Sequence, residues 1–232
     1  MNFGVFALFE DKALDDAFST ALRLAMCVVE SGELMAFPKV SKAYFTFMEI
    51  TFRNHIAVML ALPSGVFLRV VQSLQEGLDS VDGPLLQLCA AAVDHLATYY
   101  FRNMSKAKML ASAPMRALTA HFTAMPTMLA DTLMVLFNIL IFGESNNHWC
   151  ISRPILSITL CSEQSFADFK QRIVSTQSPE NQRLLEDAFH NLLLDIAKNL
   201  DPSNRDKFTQ KITSFRQNVR GFLTRGGGGG GT

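Results

Sequence analysis

The chain has 232 residues, 49% of them hydrophobic, and 21 basic side chains balance 21 acidic ones. That is enough apolar material for one or two packed cores, and the balanced charge excludes a global field that would draw nucleic acid or acidic lipid. The balance is local, not uniform: residues 1–40 hold six acids and three bases, and residues 201–225 hold six bases and two acids.

Helical periodicity dominates in chain order, and strand signals are nearly absent. The spacing of Leu14, Phe18, Ala21, Leu22, Ala25, Val28 and Val29 predicts a helix from Asp11 to Ser31, with Asp11, Asp15 and Asp16 at its dipole-favoured start. Pro38 opens a second helix with a Tyr44, Phe45, Met48, Phe52 stripe. Pro63 opens a third, turning Phe67, Val70, Val71, Leu74 and Leu78 inward. Asp82-Gly83-Pro84 is turn chemistry ahead of a fourth helix, which carries Leu85, Cys89, Val93, Leu96 and Tyr100. Residues 103–115, with Lys106, Lys108 and Pro114, are expected to form an exposed loop.

Pro126 starts the most apolar helix, reaching Phe142; apolar on most sides, it is expected to be packed on most sides. It falls short of the roughly 20 residues that a bilayer requires. Residues 143–147 read as a polar turn. Trp149–Cys161, with Pro154 inside it, and Phe166–Thr176 read as shorter helices. Ser178-Pro179-Glu180 sets cap, proline and acid in helix-start order, ahead of Leu185, Phe189, Leu192, Leu193 and Ile196. Asp201-Pro202-Ser203-Asn204 is a second such start. Behind it Phe208, Ile212, Phe215, Val219 and Phe222 draw one narrow seam. Gly226 to Gly231 form a run expected to be a disordered tail. Roughly ten one-faced helices with short connections fit stacked antiparallel pairs, an all-α solenoid; a single bundle is the competing arrangement.

Residues that carry chemistry are scattered. His55, His95, His121, His148 and His190 lack a second histidine or cysteine at ligand spacing, and an ordinary polar or partly buried role is expected of each. Asp15-Asp16 has no acid on the following turn, so it is a poor magnesium–diphosphate site. No phosphate-cradling glycine loop or nucleophile elbow occurs. Cys27, Cys89, Cys150 and Cys161 form no CxxC pair and are expected to be buried free thiols in a reducing compartment. No secretory signal opens the chain, which reads as soluble and intracellular, with no enzymatic activity, metal or cofactor expected.

Several strings, in order, carry a family resemblance: NFGVFALFEDKALDDA from Asn2, Glu76-Gly77-Leu78, Asp94-His95, Asn138 to Phe142, Ser152-Arg153-Pro154-Ile155-Leu156, and Asn204-Arg205-Asp206-Lys207-Phe208-Thr209-Gln210 with Phe215-Arg216. Together they resemble the C-terminal part of the exportin-7 (Ran-binding protein 16) family, in the importin-β superfamily. The resemblance implies HEAT-type repeats over residues 1–225. It also implies export of protein cargo with Ran-GTP, passage through the nuclear pore, and shuttling between nucleus and cytoplasm. The superfamily's N-terminal, Ran-holding repeats have no counterpart here, so the chain is expected to be a fragment of a longer receptor. The residues singled out for contact with cargo or partner are the basic set of the last helix: Arg205, Lys207, Lys211, Arg216 and Arg220. Against it stands a plainer reading, a solvated face opposite the seam. The rival functions are a stand-alone helical scaffold and an all-α enzyme of diphosphate substrates.

Overall fold

The computed structural model describes residues 13–30, 32–80, 82–143 and 148–223. Among them are twelve α-helices, one short 3-10 turn and no strand. The chain divides into two compact units, Met1–Tyr44 and Phe45–Thr232. The N-terminal apolar residues Val5, Phe6 and Phe9, the acid Asp11, the Asp15 side chain and the glycine run lie outside what is described.

In the first unit, α1 (Ala13–Glu30) turns Leu22 and Met26 inward. A 3-10 turn, Leu34–Ala36, follows, and α2 (Pro38–Asn54) begins with Pro38 in its first turn, as expected. The Ser41 hydroxyl reaches back to the Leu34 carbonyl at 2.5 Å, tying the turn to the helix.

In the second unit, α2 continues with Phe45, Met48 and Phe52 fully buried. Then come α3 (Ile56–Leu60), α4 (Ser64–Leu78) and α5 (Gly83–Asn103). The Asp82 carboxylate caps α5 by accepting from the Leu85 N–H at 3.1 Å. The predicted exposed loop is largely helical instead: α6 (Ala107–Leu110) and α7 (Ala113–Ala124). Pro114 misled because it sits in the first turn of α7, where its missing N–H has no helical partner to lose. Met115 and Leu118, both fully buried, anchor that segment.

The rest comprises α8 (Met128–Phe142), α9 (His148–Cys161), α10 (Glu163–Ser175), α11 (Pro179–Leu193) and α12 (Pro202–Val219). Ser162 and Ser178 cap α10 and α11 through the Ser165 and Asn181 N–H groups. Pro154 lies inside α9. Among the described residues no single helix is long and apolar enough to cross a membrane.

Helices pack as consecutive pairs: α4 with α5, α8 with α9, α11 with α12. The second helices touch in series, α5 to α9 to α12; the first helices follow, α4 to α8, with α10 wedged between α8 and α11. This is the stacking of a HEAT-type α-solenoid. Phe137 of α8 centres an aromatic cluster, 4.6 Å from Phe169, 5.7 Å from Phe189 and 5.6 Å from Phe215. Rings from α10, α11 and α12 thus meet on α8, each pair worth about 0.5–1.5 kcal/mol beyond area burial. At Gly77, on α4, any Cβ would stand 2.6 Å from the Phe45 ring and closer still to the Cys89 sulfur.

All four cysteines are free; Cys89 and Cys161 are buried, Cys150 is half-buried and Cys27 is exposed. The expectation of a buried Cys27 fails because Met26 takes the inward position, and the next residue turns about 100° away.

Candidate functional site: the last helix and its arginine sockets

Helix α12 gathers most of the basic charge of the C-terminal segment, and its arginines do not share one exposed face. Arg205 and Arg216 are each only 8% exposed. For these two the solvated-face reading is corrected: both belong to the packed side, with partners inside the chain. Arg205, Phe208, Ile212, Arg216 and Val219 follow one another at three- and four-residue spacing, so both arginines lie on the seam. That signal was present in the sequence, but charge alone argued for the surface.

Arg205 donates through Nη1 to both oxygens of Asp94 on α5, at 3.1 and 3.0 Å. Its Nη2 donates to Thr98 Oγ1 at 3.0 Å and to Ser157 Oγ of α9 at 3.4 Å. Its Nε donates to the Leu200 carbonyl at 3.3 Å. The Ser157 hydroxyl in turn donates towards Asp94 Oδ1, with the Arg153 carbonyl as the competing acceptor within reach. One guanidinium therefore joins α12 to α5 across α9, with nearly every donor used. A buried ion pair is costly to desolvate, so its contribution is geometric: it fixes which turn faces which.

Arg216 fills a different socket. Its Nε donates to the Leu140 carbonyl at 2.7 Å and its Nη2 to the Gly143 carbonyl at 2.8 Å, at the C-terminal end of α8. Cations are favoured there because the last carbonyls have no helical partner. Lys207 and Lys211 do the same for α11, reaching the Asp195 and Asn191 carbonyls at 2.7 and 3.2 Å. Arg220 stands exposed at the end of α12. Much of the local positive charge thus answers the negative ends of neighbouring helices.

The turn before α12 is equally built. Asn204 holds the Ala197 N–H and carbonyl at 3.0 and 2.8 Å and the Asn199 carbonyl at 2.8 Å. Asp195 takes a φ of 61° in this turn. Asn204-Arg205 therefore sets both the turn and the long-range clasp.

His95, next to Asp94, lies 3.4 Å from Glu49 on α2. His121 is buried, stacked on Phe67 at 4.1 Å between centroids, with Nδ1 2.9 Å from Ser64 Oγ and Nε2 3.0 Å from the Leu60 carbonyl. Because a carbonyl only accepts, Nε2 carries the hydrogen and Nδ1 accepts from Ser64. Burial pushes the His121 pKa down, partly opposed by the Leu60 bond. Nothing in its sequence setting marked His121 as a core residue.

Among the described residues no three His, Cys, Asp or Glu side chains come close enough to hold a metal. Two open grooves flank α8. One runs beside α4, lined by Gln72, Gln75, Glu76 and Asp79; the other runs beside α10, lined by Phe142, Ile173 and Thr176; Asn138 borders both. Neither holds a nucleophile beside a base.

No protein-family model and no solved structure matches the chain. Curated proteins do. The chain is 35% identical to Exportin-7-B of Xenopus laevis over 94% of its own length and 20% of that protein's. It is 30% identical to Ran-binding protein 17 of Mus musculus over 98% of its length and 21% of that protein's. It is 28% identical to Ran-binding protein 16 of Drosophila melanogaster over 94% of its length and 21% of that protein's. The chain thus spans about a fifth of the length of these relatives.

Proposed function

Because its sequence matches exportin-7 and its relatives along nearly its whole length, we propose that this chain is the C-terminal repeat segment of a nuclear transport receptor. In this reading residues 1–225 are helical repeats of the receptor. The complete protein carries protein cargo through the nuclear pore with Ran-GTP and shuttles between nucleus and cytoplasm. The observation that carries the proposal is the 35% identity over 94% of the chain. The stacked helix pairs agree with it, since such stacks offer extended faces for macromolecules.

The partner-facing set narrows to Lys207, Lys211 and Arg220, because Arg205 and Arg216 are consumed inside the fold. An acidic partner surface is the complement of these three cations, and rim charges of this kind act mainly on association rate. The test is a pull-down against Ran held in its GTP or GDP form, with the chain alone and fused to preceding repeats of a relative. GTP-dependent capture by the fusion supports the reading. Capture indifferent to the nucleotide, or none from a folded fusion whose unaltered parent binds, rejects it. Charge reversal at Lys211 and Arg220 in the same fusion tests the narrowed set.

A further inference from the structure

An ion pair and a histidine–carboxylate contact meet on one turn of α5. Asp94 grips Arg205 of α12, with Ser157 of α9 bonded to both. His95, the next residue, faces Glu49 of α2 at 3.4 Å, and Glu49 also pairs with Arg53 at 3.3 Å. Neighbouring residues on a helix point about 100° apart, so one turn holds partners on two sides. A polar line therefore runs from α2 through α5 and past α9 to α12.

Apolar interfaces have no preferred partner atom, and small slides cost little until side chains collide. A guanidinium fitted to a carboxylate and two hydroxyls has one good position. Displacing α12 must drag Asp94 or break the clasp. Dragging Asp94 turns the part of α5 that also carries His95.

We propose that this line is a mechanical coupling: the seat of α12 is sensed at α5 through Asp94 and passed to the second half of α2 through His95 and Glu49. Arg216 supplies the internal control. It lies on the same helix, has the same 8% exposure and also makes strong bonds, but its socket is the end of α8. Two arginines with merely local packing roles would each loosen only their own socket and α12.

The test is hydrogen–deuterium exchange on the whole chain, reading residues 45–54 and 83–103, in Arg205→Met, Arg216→Met and Ser157→Ala. Arg205→Met should speed exchange in both segments roughly tenfold or more. Arg216→Met should leave residues 45–54 within about twofold and loosen 128–142 instead. Ser157→Ala keeps both charges and should give a smaller rise in the same two segments. Unchanged exchange at 45–54 in the Arg205 variant, or the same pattern from both arginine variants, overturns the coupling. If Arg205→Met does not fold, Ser157→Ala and Asp94→Asn decide on the same readout: a rise at 45–54 supports the coupling and no rise overturns it.

Discussion

Gly77→Ala sets two effects of opposite sign against each other. Gly77 lies inside α4, where alanine is the better helix former by about 1 kcal/mol, a difference that already includes the lower entropy of its unfolded chain. On those grounds alone the change stabilises. The added methyl, however, would stand 2.6 and 2.9 Å from two atoms of the Phe45 ring, with Cys89 Sγ nearer still. Carbon atoms sit comfortably at about 3.5–4.0 Å, so ring and sulfur must each retreat by about 1 Å. Both neighbours are fully buried, leaving no direction in which to yield. Overpacking in such a core costs about 1–3 kcal/mol, and more when two neighbours must move. The clash wins, for a net loss of about 1–2 kcal/mol. That lowers Tm by about 2–4 °C per kcal/mol in a chain of this size, and urea melts should show the same loss at unchanged slope. Cys89→Ala in the same background should recover part of it, because the nearest atom has gone. A neutral or stabilised Gly77→Ala would refute the reasoning.

Breaking the clasp from one side, by Arg205→Met or Asp94→Leu, should cost about 3–5 kcal/mol; the double change should recover most of that, since the pair fixes register more than it adds stability. Denaturant melts of the three variants decide this. His121 gives a pH signature: its folded pKa lies below the ordinary 6.5, so the stability it contributes is full above 6.5 and is lost as pH falls from there through its folded value. Melts between pH 7.5 and 5 should show that loss in the native protein and a flatter profile in His121→Gln. Among the thiols, Cys27 should react with maleimide in the native state. Cys161, which burial pushes up to about 12, and the buried Cys89 should react only on unfolding.

Most helix limits were legible because local chemistry sets them. Ser178-Pro179 and Asp201-Pro202 each open a helix, and the stripes on α2 and α4 match the buried faces; on α11 Leu185, Phe189 and Leu192 are buried, while Leu193 is half-buried and Ile196 lies past the helix end. Residues 103–115 were not, because α6 has four residues and Pro114 marks a start as readily as a break. The clasp was half visible. Arg205 and Arg216 keep the spacing of the seam, but no local rule says that a cation there meets an acid 111 residues away. Asp94 and His95 are adjacent on α5, so their side chains point apart, and the structure gives each its own partner. Gly77 carried no local signal for glycine, and the approach of Phe45 and Cys89 explains why a side chain does not fit there.

The most direct measurement is nuclear export by a chimera, in which this chain replaces the matching fifth of Xenopus laevis exportin-7, scored on a reporter cargo in cells. Export and Ran-GTP binding close to those of the parent are the expected result. A chimera that is folded and abundant, yet exports nothing while the parent does, would contradict the assignment of this chain to a transport receptor.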